Sequence, residues 1–307
     1  MKIKSQALIF PGQGSQKIGM GKSLYDNFAI AQDVFERVDE ALHYNLSKLM
    51  FEGDAEKLNL TENAQPAIMA VSMAYFEVFK DTGLFDMQNI KFAAGHSLGE
   101  YSALCAAEAI DLEDVAKLLQ LRGKYMMEAC EQNQGGMMAI IGLDYDEVNQ
   151  IAALNGCYVG NSNAPAQIVI SGGKEEIAHA GEEALKAGAR KAITLNVSGA
   201  FHSPLMQSAA DKMEDIINQA KISVPQIKVI SNMTARPYDG INEIKQLLKE
   251  QITNTVKWQE SIKYIINNNV TEFAEVGFGN VLSGLVKKIA PEAKVTTADE
   301  MIKQPEE

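Results

Sequence analysis

Ile90-Lys91-Phe92-Ala93-Ala94-Gly95-His96-Ser97-Leu98-Gly99-Glu100-Tyr101-Ser102-Ala103-Leu104-Cys105-Ala106-Ala107-Glu108 is the stretch on which the fold turns. The apolar run 90–94 reads as a strand, and residues 98–108 are rich in helix formers. Between them Gly95-His96-Ser97-Leu98-Gly99 matches G-x-S-x-G, a serine held on a sharp strand-to-helix turn. Such a turn crowds side chains on both sides of its apex, so glycine flanks the serine and leaves Oγ exposed. The N–H of Leu98 then opens a helix and points into the same space, where it can stabilise an oxyanion. A glycine-rich turn with Ser97 as an N-cap carries the same letters. The strand immediately before and the helix immediately after are what the nucleophile reading requires.

Outward from this turn, short apolar runs alternate with longer amphipathic stretches, predicting an α/β fold with a largely parallel sheet. A first strand is expected over residues 4–10, broken by Pro11-Gly12. A helix is expected over 61–80, where Ile68, Val71, Tyr75 and Phe79 recur three and four apart. The middle of the chain differs. Strand 136–142, helix 144–154 with acidic residues in its first turn, strands 157–161 and 167–171, helix 174–187 and strand 191–197 follow in turn. That βαββαβ order is ferredoxin-like. The expected organisation is one larger domain from residues 1–125 and 200–307, with a small subdomain, 126–199, inserted. A polar tail after Glu300 is expected to fray.

At 307 residues, 46% hydrophobic and 22% charged, the chain can bury a sizeable core without staples. Cys105, Cys130 and Cys157 are widely spaced and odd in number, which argues against a disulfide framework and a four-ligand zinc site. The apolar run 7–10 is too short for a signal peptide, and nothing approaches the roughly 20 apolar residues of a membrane span. The expected compartment is the cytoplasm. A formal net charge of −12 argues against a nucleic-acid or anionic-membrane surface.

Of four histidines, His43 and His179 sit in polar stretches and read as surface residues, while His96 inside the elbow is expected to pack or hydrogen-bond. His202, in Phe201-His202-Ser203-Pro204, is the well-placed base, in the serine-before-histidine order of elbow enzymes. No aspartate between Ser97 and His202 is an obvious third member, so a carbonyl near Gln251 or Asn254 is expected to orient the imidazole. Pro11-Gly12-Gln13-Gly14-Ser15-Gln16 fails as a dinucleotide fingerprint, because Lys17 stands where the third glycine belongs. A Walker loop ending in Gly21-Lys22-Ser23 fails too, its first glycine falling on Gln16. A backbone donor from Gln13 beside the elbow survives, and a plain tight turn fits equally. Arg122, in Leu121-Arg122-Gly123, stands in an otherwise apolar helical stretch. A surface arginine is the ordinary reading; a planar fork gripping a carboxylate is the functional one.

Together these segments resemble the malonyl-CoA:acyl carrier protein transacylases of type II fatty acid synthesis. The likeness runs from Ile9 to about Leu285 and rests on Phe10–Gln16, Gly95–Tyr101, Leu121–Gly123, Asn161–Asn163, Ala200-Phe201-His202-Ser203-Pro204-Leu205-Met206 and Glu275-Val276-Gly277. It implies a hydrolase-like core with the ferredoxin-like insertion. It implies that Ser97 is acylated, that His202 is base and then acid, and that the Gln251 carbonyl orients His202. Gln13 and Leu98 would form the oxyanion hole, Arg122 would bind the malonyl carboxylate, and Asn161, Asn163 and Gln167 would line the acyl or pantetheine site. Phe201 would leave no room for an α-methyl branch.

The same resemblance implies a monomer that needs no metal or cofactor and takes malonyl-CoA and holo acyl carrier protein. Carrier proteins are acidic, so this acidic chain needs a local basic docking patch; Arg190-Lys191 and Lys287-Lys288 are the candidates. Two departures stand out. Asn254-Thr255-Val256-Lys257-Trp258 replaces the usual Asn-Pro before Val-x-Trp, and Phe278 replaces the proline of Glu-Val-Gly-Pro-Gly. A serine thioesterase or an editing acyl hydrolase of a polyketide pathway would share the triad logic, and a silent carrier-binding subunit is a third alternative.

Overall fold

The computed structural model describes residues 6–303, so positions 4 and 5 of the expected first strand lie outside the described residues. One sheet is parallel throughout, in the order β7-β2-β1-β8-β9. Its strands are β1 Gln6–Phe10, β2 Ile90–Gly95, β7 Lys228–Ile230, β8 Glu272–Glu275 and β9 Lys294–Thr297. Helices cover both faces, which is why β1 is apolar and buried from Ala7 to Phe10 rather than alternating. Leu8 and Phe10 enter the core beneath the helices Thr61–Asp81 and Leu112–Gln132. Ala7 and Ile9 pack on the other face with Trp258, Ile262 and Leu285.

The second sheet is antiparallel, in the order β4-β5-β3-β6, from β3 Gly135–Ile141, β4 Tyr158–Ala164, β5 Gln167–Gly173 and β6 Lys191–Thr194. With the helices Tyr145–Leu154 and Lys174–Lys186 this is the ferredoxin-like arrangement. Asp144 and Glu147 form a capping box that starts the first of these helices, each satisfying the other's backbone N–H. The two-residue period of the strands divides the sheet. Met138, Ile140, Ile168 and Ile170 belong to the subdomain's own core. Met137 and Val169 face the opposite way and line a cavity.

Residue 126, the expected junction, falls inside the helix Leu112–Gln132, and the second sheet begins only at Gly135. The helix continues because Met126, Ala129 and Cys130 extend its buried face across that point. Of the tail expected to fray after Glu300, residues 304–307 lie outside the described residues. Ala298–Ile302 is helical, opened by a capping box between Thr297 and Glu300, and Met301 and Ile302 pack on the main core. Among the described residues no helix is long and apolar enough to cross a membrane.

Gly123 lets the helices Thr61–Asp81 and Leu112–Gln132 approach, since a Cβ there would lie 2.4 Å from Thr61 O. Gly123→Ala is expected to cost about 1–3 kcal/mol of stability through overpacking. Urea denaturation of the two proteins measures this directly.

Candidate active site

The elbow is built by close approach of its own backbone. A Cβ on Gly95 would lie 1.8 Å from Gly99 O, and one on Gly99 would lie 2.3 Å from Phe10 O. Ser97 sits at the apex with φ 54°, a left-handed conformation costing a serine roughly 1–2 kcal/mol. Asn232, just after β7, holds it there. Its Oδ1 accepts from Ser97 N–H at 2.8 Å, and its Nδ2 donates to Gly95 O at 2.7 Å.

Ser97 Oγ lies 2.8 Å from His202 Nε2, and His202 Nδ1 lies 2.8 Å from Gln251 O. A carbonyl only accepts, so Nδ1 carries the proton and Nε2 turns its lone pair to the serine. Burial, and next the charge of Arg122, push the imidazole down to about 3. His202 is therefore neutral and ready to accept a proton at neutral pH. It too has positive φ, 56°. The turn around it is pinned by Ser171 Oγ, which donates to Phe201 O at 2.7 Å, and by Ser203 Oγ, which donates to Ala200 O at 2.6 Å.

The carbonyl that meets His202 Nδ1 is that of Gln251, whereas Asn254 is exposed and donates back to Glu250 O at 2.9 Å. Thr255 stabilises this segment without the usual proline. Its hydroxyl donates to Val159 O at 2.6 Å, while Val256 N–H donates to Gly160 O at 2.9 Å and Ser162 N–H to Val256 O at 2.9 Å. These bonds dock the loop after Gln251 on β4. His96 packs, as expected, against Trp258, and its Nε2 meets Asn163 Oδ1 at 2.8 Å. His43 and His179 are exposed.

Arg122 is not a surface residue; it is only 1% exposed. One amino group, Nη1, donates to Gln65 Oε1 at 2.7 Å. The other, Nη2, donates to Gln251 Oε1 at 2.8 Å and to Ser97 Oγ at 3.1 Å. The guanidinium lies over the Tyr101 ring at 5.7 Å. Among the described residues no carboxylate pairs with it directly, and its Nε finds no partner. A buried cation with donor capacity to spare, touching the nucleophile, is suited to receive an anion.

Behind these groups stands Glu100, fully buried, a residue to which the sequence reading attached no role. Its Oε1 accepts from Asn232 N–H at 3.0 Å and from Tyr238 OH. Its Oε2 accepts from Gln251 Nε2, which also donates to Ser97 O at 3.0 Å. A carboxylate directly after G-x-S-x-G, in the first turn of an apolar helix, was the available signal for Glu100. Asn232, Gln65 and Tyr238 offered none.

A cavity of about 190 Å³ opens beside Ser97. Gln13, Arg122, Met126, Phe201, Asn161, Asn163 and Gln167 line it, as do Leu282 and Leu285 of the helix Val281–Ile289. The first loop is tied to the elbow by His96 N–H, which donates to Phe10 O at 3.0 Å. Of the basic doublets, Lys288 reaches the rim, donating to Gln167 Oε1 at 2.6 Å. Lys287 donates to Ala293 O at 2.5 Å. Arg190 and Lys191 are exposed at the start of β6, while Leu195 and Val197 beyond its other end line the cavity. Among the described residues no group of three or more His, Cys, Asp or Glu is placed to hold a metal.

The acyl transferase domain family matches residues 7–303. The malonyl CoA-acyl carrier protein transacylase of Bacillus subtilis is 45% identical over 288 residues, 92% of this chain and 90% of that protein. The chain belongs to this family of acyltransferases. A second Bacillus subtilis relative, the polyketide biosynthesis malonyl CoA-acyl carrier protein transacylase, is 41% identical over 294 residues, 93% of this chain and 97% of its own. The structure of an acyl-carrier-protein S-malonyltransferase from Bartonella henselae superposes with TM-score 0.94 at 44% identity, covering 97% of both chains. A structure of a type II polyketide synthase acyl-carrier protein in complex with its malonyl-transacylase matches with TM-score 0.93 at 35% identity, covering 97% of this chain and 98% of that one.

Proposed function

We propose that the protein transfers a malonyl group from malonyl-CoA to the phosphopantetheine thiol of holo acyl carrier protein, through an acyl-enzyme on Ser97. The observation that carries this reading is Arg122, buried, without a direct carboxylate partner, and within hydrogen-bond reach of the nucleophile. Ser97 Oγ gives its proton to His202 Nε2 and attacks the thioester carbonyl. The Leu98 and Gln13 N–H groups serve as oxyanion donors, and Arg122 holds the malonyl carboxylate. His202 returns the proton to the departing CoA thiolate. The carrier thiol then attacks the acyl-enzyme by the same route in reverse, with its proton passing through His202 to Ser97.

Phe201, buried on the cavity wall, limits the space beside the malonyl α-carbon. Asn161, Asn163 and Gln167 serve the acyl and pantetheine arm, and Lys288 on the rim, with Arg190, Lys191 and Lys287 farther out, serves carrier docking. These steps use side chains, backbone N–H groups and two thiol partners, and draw on no cofactor. Three buried free cysteines suit a reducing cytoplasm. A monomer is the expected state in light scattering.

Incubation with malonyl-CoA is expected to add one malonyl mass to Ser97, and added holo carrier protein to remove it as malonyl-carrier. Release as free malonate regardless of carrier would instead identify an acyl hydrolase. Absence of any adduct would point to another acyl donor or to a non-catalytic carrier-binding role.

A further inference from the structure

We propose that Glu100 is a positioning residue that sets the direction of the Gln251 side-chain amide, and through it the aim of Arg122 and of the Ser97 carbonyl. The inference rests on Arg122 as the malonyl reader. Gln251 has one acceptor and one donor end, and the site needs each in a particular place. Its Oε1 takes the Arg122 Nη2 bond, while its Nε2 serves Ser97 O. Sterically the amide could turn over, which would set N–H against the guanidinium and C=O against the Ser97 carbonyl. Glu100 prevents this because an ionised carboxylate only accepts. Its Oε1 is occupied by two donors, Asn232 N–H and Tyr238 OH, so Oε2 must be met by the NH₂ end of Gln251.

Arg122 thereby faces its nearest buried carboxylate through one amide, and its charge lowers Glu100 while burial raises it. In the resting site the anion is relayed; a bound malonyl carboxylate would supply a direct one. Replacing Glu100 by glutamine, or protonating it, puts a donor opposite Gln251 Nε2 and drives the amide over. Burial is the largest influence on Glu100 and pushes it up to about 7, against the opposing pull of Tyr238, Gln251, Asn232 and Arg122. The charged and titratable groups around it are Arg122 and Tyr101, each on its own helix, and Tyr238 after β7; His202 lies beyond Gln251. The sign follows. The ionised, working form prevails above neutrality and is lost as pH falls through about 7. His202, held down to about 3, remains neutral across that window.

The test measures two rates against pH from 5.5 to 9: malonyl acylation of Ser97, and labelling of Ser97 by a fluorophosphonate, which carries no malonyl group. Wild type, Glu100→Gln, Arg122→Ala, the double variant and Tyr238→Phe are compared, with thermal melts as the folding check. Glu100→Gln is expected to slow malonyl acylation roughly 10- to 100-fold at alkaline pH and to lose the acid limb in both assays. Added to Arg122→Ala it should slow malonyl acylation no more than it slows fluorophosphonate labelling, because the Arg122 arm is already gone and only the Ser97 carbonyl arm remains. Tyr238→Phe keeps the carboxylate but removes a bond to its charged form, so its acid limb should move to higher pH. A malonyl loss beyond the labelling loss in the double variant, an acid limb that survives in Glu100→Gln, or an unmoved limb in Tyr238→Phe would each overturn the proposal. Failure of the wild type to take malonyl would refute the transacylase reading instead, and the labelling profiles would still decide Glu100.

Discussion

His202→Ala is expected to slow acylation of Ser97 by at least roughly 10⁴-fold. The size follows from what surrounds the hydroxyl. Its contacts are His202 Nε2 at 2.8 Å and Arg122 Nη2 at 3.1 Å, and the second is a donor that cannot take a proton. His96, the adjacent imidazole in sequence, is committed to Asn163 and Trp258. Truncation also leaves Gln251 O without its imidazole donor, so an effect on folding should be checked by thermal melts. Residual acylation would come from the oxyanion donors and substrate positioning alone. Single-turnover accumulation of the malonyl mass on Ser97 reads the effect. A loss below about 10-fold would point to a different base.

Arg122→Ala is expected to lower kcat/KM for malonyl-CoA by roughly 100-fold or more, because truncating one partner of a buried charge pair costs about 3 kcal/mol. The same change should cost less for acetyl-CoA, which brings no carboxylate to the site. Relative preference for the uncharged acyl group therefore rises. Some loss is common to both substrates, since Gln65 Oε1 and Gln251 Oε1 lose their donor. Arg122→Lys should rescue little, because a single ammonium nitrogen cannot span Gln65 and Gln251, which meet two different nitrogens of the planar fork, and still pair with a carboxylate in two parallel bonds. Competition between the two thioesters, followed by mass spectrometry of Ser97, measures the ratio. Equal losses for malonyl and acetyl would remove Arg122 from its assigned role.

The elbow was legible because its determinants are local. A Cβ on Gly95 would lie 1.8 Å from Gly99 O, and that clash is written in five consecutive letters, although the one that holds Gly99, 2.3 Å from Phe10 O, comes from the fold. The ferredoxin-like unit was legible for a related reason. Its strands are short apolar runs set between helical stretches, and the first of its helices opens with an Asp144–Glu147 capping box, so element order follows from neighbours in the chain. Boundaries were less legible. The helix Leu112–Gln132 runs past the expected junction because its apolar face meets elements remote in sequence.

Arg122 could be seen as a candidate but not placed, since an arginine's burial depends on what folds over it. Gln65 lies 57 residues away and Gln251 129 residues away. The choice between Gln251 and Asn254 as orienter was likewise open to the residues alone. It is closed by Thr255 and Val256 docking on β4, which turns Gln251 O toward His202 and leaves Asn254 outside. Glu100 and Asn232 meet across 132 residues, and Glu100 and Gln251 across 151. Sequence pattern alone thus reached the class of fold and named Ser97 and His202 as candidates, because the glycine spacing of the turn, the period of the elements and the order of serine before histidine are all written along the chain. The charge reader and the amide relay behind it came only from the folded chain, because a buried polar group is defined by partners that nothing local specifies.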